Sequence, residues 1–130
     1  MLRNAVDAYL KESPKGDWSN APHGRIGEWD ISRVTDISFT FYKAKEFTAD
    51  ISKWDVSSVT DMKAVFLSAA SFNGDISKWD VASVTDMTNM FSKTEMFNSD
   101  ISKWDVSSVI DMTAMFMTSK SFNGDISRWD

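Results

Sequence analysis

The 130-residue sequence contains no cysteine. That excludes disulfides, thiolate zinc sites and lipid attachment through cysteine within this chain, and it leaves the compartment open. No apolar run approaches the roughly 18 residues of a membrane span, so no membrane contact is expected of this segment. The opening stretch MLRNAVDAYLKESP is interrupted by charge throughout and does not read as a secretory leader. Fourteen basic residues face nineteen acidic ones, for a net charge of −5. A nucleic-acid surface wants a basic patch, and none is visible. There is one histidine, His23, in the loop beside Pro22 and Gly24. No serine has a recognisable histidine partner, and there is no glycine-rich phosphate loop. Catalysis needs one constellation of side chains in distinct roles. Every candidate acid here is instead one member of a repeated column. The chain therefore reads as non-enzymatic, without catalytic residues or a cofactor.

What the sequence does have is repetition. Trp29, Trp54, Trp79, Trp104 and Trp129 are each 25 residues apart, and the same step links Ile26, Ile51, Ile76, Ile101 and Ile126. It also links Phe41, Phe66, Phe91 and Phe116, then Phe47, Phe72, Phe97 and Phe122. A period this short suits a solenoid with one coil per repeat. Within a coil, Ile51, Trp54, Val56 and Val59 fit the strand half of a leucine-rich repeat. The expected short parallel strand centres on Trp54-Asp55-Val56, with Trp54 and Val56 inward and Lys53 and Asp55 outward. Ser58-Val-Thr-Asp61 resembles a helix-capping box. Met62, Val65 and Phe66 then follow at i, i+3 and i+4, which predicts a short helix of about two turns. Asn73-Gly74-Asp75 supplies turn chemistry. The expected fold class is an α/β solenoid, each coil being strand, short helix and turn.

The first 24 residues do not repeat. Leu2, Ala5, Val6, Tyr9 and Leu10 form an amphipathic helix stopped at Ser13-Pro14, which would cap the open end of the core. The expected organisation is a capping helix and loop over 1–24 and a repeat solenoid over 25–130, roughly four and a half coils. The chain halts at Asp130 in mid-strand, so the expectation is a piece of a longer array or an end that self-associates end to end at the C-terminal coil.

The stretch FNGDISKWDVASVTDMTNMF resembles the 25-residue repeat of the BspA-like leucine-rich-repeat surface proteins, also known as the mycoplasma lipoprotein-associated repeat. The resemblance covers about residues 24–130. It implies a right-handed, leucine-rich-repeat-like solenoid, surface display and adhesion for some members, and no enzyme activity. An extracellular or cell-surface location follows from this resemblance alone. The first unit departs from the pattern, with Arg25, Gly27 and Thr48 in place of Asp, Ser and Asn.

Each column also has a structural reading. The tryptophans are expected to form a core ladder rather than a sugar-binding platform. The aspartates fall into three separated columns, typified by Asp55, Asp61 and Asp75. Such an arrangement does not make one oxygen cage, so no calcium or other metal site is expected. Three local reasons for them are expected. The Asp55 column is offset by its neighbouring lysines, the Asp61 column sits in a helix's first turn, and the Asp75 column caps a turn. Asn73, Asn98 and Asn123 read as a structural ladder. The candidate outward strand face is Lys53, Asp55, Lys78, Asp80, Lys103 and Asp105. Its uniformity suits a repetitive ligand, a protein partner or a second copy. The segments YKAKE, LSAAS, SKTEM and MTSKS between the two Phe columns vary, and specific recognition would be sought there. Two functions remain: a non-catalytic protein-binding or adhesion module of a surface protein, or a structural spacer or self-assembling solenoid with no ligand on this segment.

Overall fold

The structure is a computed structural model describing residues 2–130; Met1, counted above with the cap, lies outside the described residues. It begins with helix α1, Leu2–Glu12, which buries Val6 and Tyr9 and packs Leu2 and Leu10 on the same core. Ala5, expected on that stripe, is exposed. The helix stops where Pro14, which has no N–H, follows Ser13. Ser13 Oγ instead donates to Asp17 Oδ1 (2.8 Å) and accepts from the Asp17 N–H (3.1 Å).

Beyond α1 the described residues hold a single 3-10 turn, Ile26–Glu28, and no strand. This corrects the expected coil of strand and short helix. At the expected strand, Trp54 N–H bonds Ile51 O (3.1 Å) and Val59 N–H bonds Val56 O (2.9 Å), so the chain turns two corners instead of extending. The side-chain alternation is nevertheless present: Trp54 and Val56 are buried, while Lys53 and Asp55 are exposed. Parallel pairing occurs five residues further on, as isolated bridges Asp36–Asp61, Asp61–Asp86 and Asp86–Asp111.

The expected helix is replaced by a train of overlapping four-residue turns. Val65 N–H bonds Met62 O (3.4 Å), Leu67 bonds Ala64 O (3.3 Å) and Ala69 bonds Phe66 O (2.9 Å). The peptides between these turns point along the stack. The N–H groups of Met62, Ala64, Phe66 and Ser68 donate to the carbonyls of Asp86, Thr88, Met90 and Ser92 in the next unit, at 2.8–3.0 Å. The same four bonds recur at the other two junctions, starting from Ile37 and from Met87. A helix would turn every peptide along its own axis and leave nothing for the neighbouring unit. Alternating the peptide direction pairs both sets, as buried backbone groups require.

The backbone registers this alternation. Two non-glycine residues per unit sit in the left-handed region: Phe39 and Lys43, Ala64 and Ser68, Asn89 and Lys93, Ala114 and Thr118, with φ between 55° and 61°. Each such residue costs about 1–2 kcal/mol. In the first three units each also donates one of the bonds to the next unit.

The core is a double file of phenylalanines. Phe41, Phe66, Phe91 and Phe116 stack at 5.5–5.7 Å, and Phe47, Phe72, Phe97 and Phe122 at 5.9–6.2 Å. The two files touch face to face within each unit at 4.0–4.2 Å. Gly27, where later units carry serine, is explained by close approach: a Cβ there would run into the backbone carbonyl of Asp50.

Candidate functional site

The tryptophan column faces the core. Trp54, Trp79 and Trp104 are 3–4% exposed, while Trp29 and Trp129 are half-buried. From Trp54 onward each indole also reaches the preceding unit, with Trp54 Nε1 donating to Ile26 O (2.8 Å), Trp79 to Ile51 O (3.2 Å), Trp104 to Ile76 O (3.0 Å) and Trp129 to Ile101 O (3.1 Å). Those carbonyls already accept the turn N–H three residues on, so one oxygen closes a corner and holds the next unit.

Outside, Lys53, Asp55, Lys78, Asp80, Lys103 and Asp105 are all exposed, one Lys–Asp row per unit. The expected offset of Asp55 by its lysine is not what the geometry gives. Among the described residues the one ion pair is Arg3–Asp7 on the surface of α1 (3.9 Å). Lys53, Lys78 and Lys103 act instead on Asp50, Asp75 and Asp100, and Asp55 feels the like charge of Asp30. The Asp61 column caps no helix, since none is there. All the columns do one job. Each aspartate Oδ1 accepts the backbone N–H two residues on: Asp55 from Ser57 (3.0 Å), Asp61 from Lys63 (2.9 Å), Asp75 from Ser77 (3.0 Å), Asp80 from Ala82 (3.1 Å). At Asp30, Asp55, Asp75 and Asp105 the serine hydroxyl two residues on adds a second bond, as from Ser57 and Ser107 (both 2.6 Å). These bonds favour the charged carboxylate, first through the serine hydroxyl and then through the N–H. They hold Asp30, Asp50, Asp55, Asp75, Asp100, Asp105 and Asp125 below the ordinary carboxylate range. The threonine hydroxyl and N–H of Thr113 do the same for Asp111. The signal in the sequence is the recurring Asp-x-Ser/Thr.

The asparagine column forms a ladder on the surface: Asn73 Oδ1 accepts the Asn98 N–H (2.7 Å) and Asn98 Oδ1 accepts the Asn123 N–H (2.8 Å). Among the described residues no three histidine, aspartate or glutamate side chains converge on a point that could hold a metal ion. The variable segments expose Met96 and Met117, each more than half open to solvent.

A concave site lies elsewhere, in the cap. Tyr9 is buried, and its hydroxyl reaches the carbonyls of Gly16 (3.2 Å) and Trp18 (3.1 Å) and accepts the Ile26 N–H (3.4 Å). Trp18 and Trp29 both pack on its ring, at 5.6 Å and 5.5 Å, the second edge-on. With Ala8, Glu12, Pro22 and His23 they border a cleft of about 440 Å³. Trp18 is the one tryptophan outside the 25-residue step, and that irregularity was the available clue.

No curated protein and no solved structure matches the chain. The model of the family described as Mycoplasma protein of unknown function, DUF285, matches residues 14–130. The match supports a mycoplasma repeat family and does not single out the BspA-like leucine-rich-repeat proteins within it. It spans the stacked units and the loop leading into them, and on that footing the chain belongs to the DUF285 family.

Proposed function

We propose that the chain is a non-catalytic repeat module that binds an extended protein partner along its outward Lys–Asp rows, serving adhesion at a cell surface. The observation that carries this reading is the in-register repetition of Lys53–Asp55, Lys78–Asp80 and Lys103–Asp105, all exposed. No salt bridge among the described residues consumes these lysines. A row of identical exposed groups offers little to an irregular partner and several equivalent contacts to a repetitive one, where valency multiplies weak affinities. The surface location and adhesion come from the resemblance of the repeat to BspA-like proteins.

The polarity of the stack weighs against the self-assembling alternative. Along the train of turns the ladder N–H groups point toward the later unit, while a second set, from Thr60, Thr85 and Ile110, points back to the earlier one. A second copy stacking head to tail would have to present the carbonyls of Asp36, Ser38, Thr40 and Tyr42. On that side α1 sets Arg3 over the Phe39 ring (5.5 Å) and shares a cleft with Thr40 and Tyr42.

The test is adhesion of beads coated with the chain to surfaces carrying fibrous proteins. Charge reversal of Lys53, Lys78 and Lys103 together should lower retention more than about tenfold, with one reversal costing far less, as multivalency requires. Equal retention by the triple variant, with melting unchanged, would sink the proposal, as would no retention of the parent chain on any protein surface.

A further inference from the structure

The cap cleft has a chemistry that the repeats lack. Trp54, Trp79 and Trp104 are enclosed, whereas Trp18 and Trp29 are half-buried and turn toward the same cleft. Its polar groups are nearly all committed. The Tyr9 hydroxyl is held by Gly16, Trp18 and Ile26, and Trp29 Nε1 donates to Gly24 O (3.2 Å). What remains lining the space is ring surface, small or apolar side chains, the Trp18 indole N–H, the His23 imidazole and the Glu12 carboxylate, which has no salt-bridge partner among the described residues.

Aromatic faces with a carboxylate beside them attract a cation. Two other aromatic rings at the surface of this protein already have one. Arg3 lies 5.5 Å from the Phe39 ring and Lys43 lies 5.1 Å from Tyr42. Trp18 and Trp29 have no such cation among the described residues. The kind of cation follows from the donors it would carry. A primary ammonium brings three N–H groups that each need an acceptor, and the side-chain acceptors lining the cleft are one carboxylate and one imidazole. A guanidinium brings five. A quaternary ammonium brings none, and its methyl groups suit the indole faces. The volume, about 440 Å³, lies within the range of small-ligand clefts.

We propose that the cleft bordered by Tyr9, Glu12, Trp18 and Trp29 is a binding site for a quaternary ammonium group. Trp18 and Trp29 supply the aromatic walls and Glu12 the counter-charge. This does not rest on the reading of the Lys–Asp rows.

The probe is choline chloride, titrated into the ¹⁵N-labelled chain at pH 8 with sodium chloride holding ionic strength constant, while the indole N–H resonances are followed. The signals of Trp18 and Trp29 should move, and those of the enclosed Trp54, Trp79 and Trp104 should stay. The neutral alcohol of the same shape, 3,3-dimethylbutan-1-ol, should bind at least about fivefold more weakly. Ethanolamine, with three N–H donors, should also bind more weakly than choline. Glu12→Gln, on an exposed residue, should weaken choline by about two- to fivefold. Trp18→Ala should abolish the Trp29 shift; if it unfolds the cap, the Glu12→Gln result and the alcohol comparison decide. The proposal is overturned if the two signals stay in place up to about 50 mM choline, if the alcohol binds as well as choline, or if Glu12→Gln leaves the affinity unchanged.

Discussion

Trp79→Ala tests whether the stack is held by its core column. The indole is 4% exposed, lies 6.1 Å from the Phe66 ring centre and donates to Ile51 O at 3.2 Å. A buried aromatic withdraws about 150–250 Å² from water, worth about 4–6 kcal/mol at about 25 cal/mol per Å². Alanine keeps a part of that, so the expected loss is about 3–5 kcal/mol. The lost indole bond lies inside this figure and adds no orphan penalty, because Ile51 O still accepts the Trp54 N–H (3.1 Å). With an unfolding entropy of about 2.1 cal/mol/K per residue over 130 residues, the melting temperature should fall by about 11–18 °C. Urea and thermal unfolding followed by far-UV circular dichroism measure both quantities. Trp129→Ala, at a half-buried member of the column, should cost clearly less, under about 2 kcal/mol. A loss below about 1 kcal/mol at Trp79, or an equal loss at the two positions, would refute the core reading.

Lys93→Gly separates the train of turns from a helix: Lys93 is exposed with φ 57°, so glycine should be neutral or stabilising by up to about 1 kcal/mol. In a helix the same change would cost about 1 kcal/mol, and a urea midpoint shift of that sign would overturn the assignment. The aspartates held below the ordinary carboxylate range make stability acid-sensitive. Their contribution is fully present above the unfolded-state pKa of about 3.9 and is lost as pH falls through the lower folded-state values. Urea midpoints should therefore be flat from pH 7 to about 5 and drop below about 4; a midpoint that holds or rises there would show that the Asp-x-Ser/Thr bonds do not support the fold.

Much of the side-chain arrangement was legible because it depends on periodicity alone. The 25-residue step fixed which residues share a column, and charge against apolarity fixed that Trp54 and Val56 face in while Lys53 and Asp55 face out. The backbone was not legible by the same means. Alternation of burial over Lys53–Val56 is produced here by two corners as well as it would be by a strand. The i, i+3, i+4 spacing of Met62, Val65 and Phe66 is shared by a helix and by overlapping four-residue turns. The pattern that distinguishes them was present: Ala64 lies between these apolar residues and is buried with them, and a narrow helical stripe leaves no place for it. Nothing in local propensity favours left-handed conformation at Phe39 or Ala64. That conformation is imposed by hydrogen bonds to another unit, a non-local term that a reading of one repeat does not contain.

The two candidate sites differ for the same reason. The Lys–Asp rows were legible as a repeating pattern, and repetition is also what makes them ambiguous, since an exposed charge needs no ligand to explain it. The cap cleft depends on residues that break the pattern: Trp18 lies off the 25-residue step, and Trp29 belongs to the unit whose Gly27 departs from the consensus. Within the repeats an indole is enclosed by the units on either side. At the first unit the preceding neighbour is α1, whose Ala5 and Ala8 reach less far across the ring than a preceding unit would. Half-exposure of Trp29 is thus a consequence of joining a helix to a stack of turns, and Trp18 covers the junction incompletely. A helix carrying leucine at positions 5 and 8 would close the gap and bury more apolar surface, which is the arrangement that stability alone would favour. Alanine at both positions keeps the cleft open.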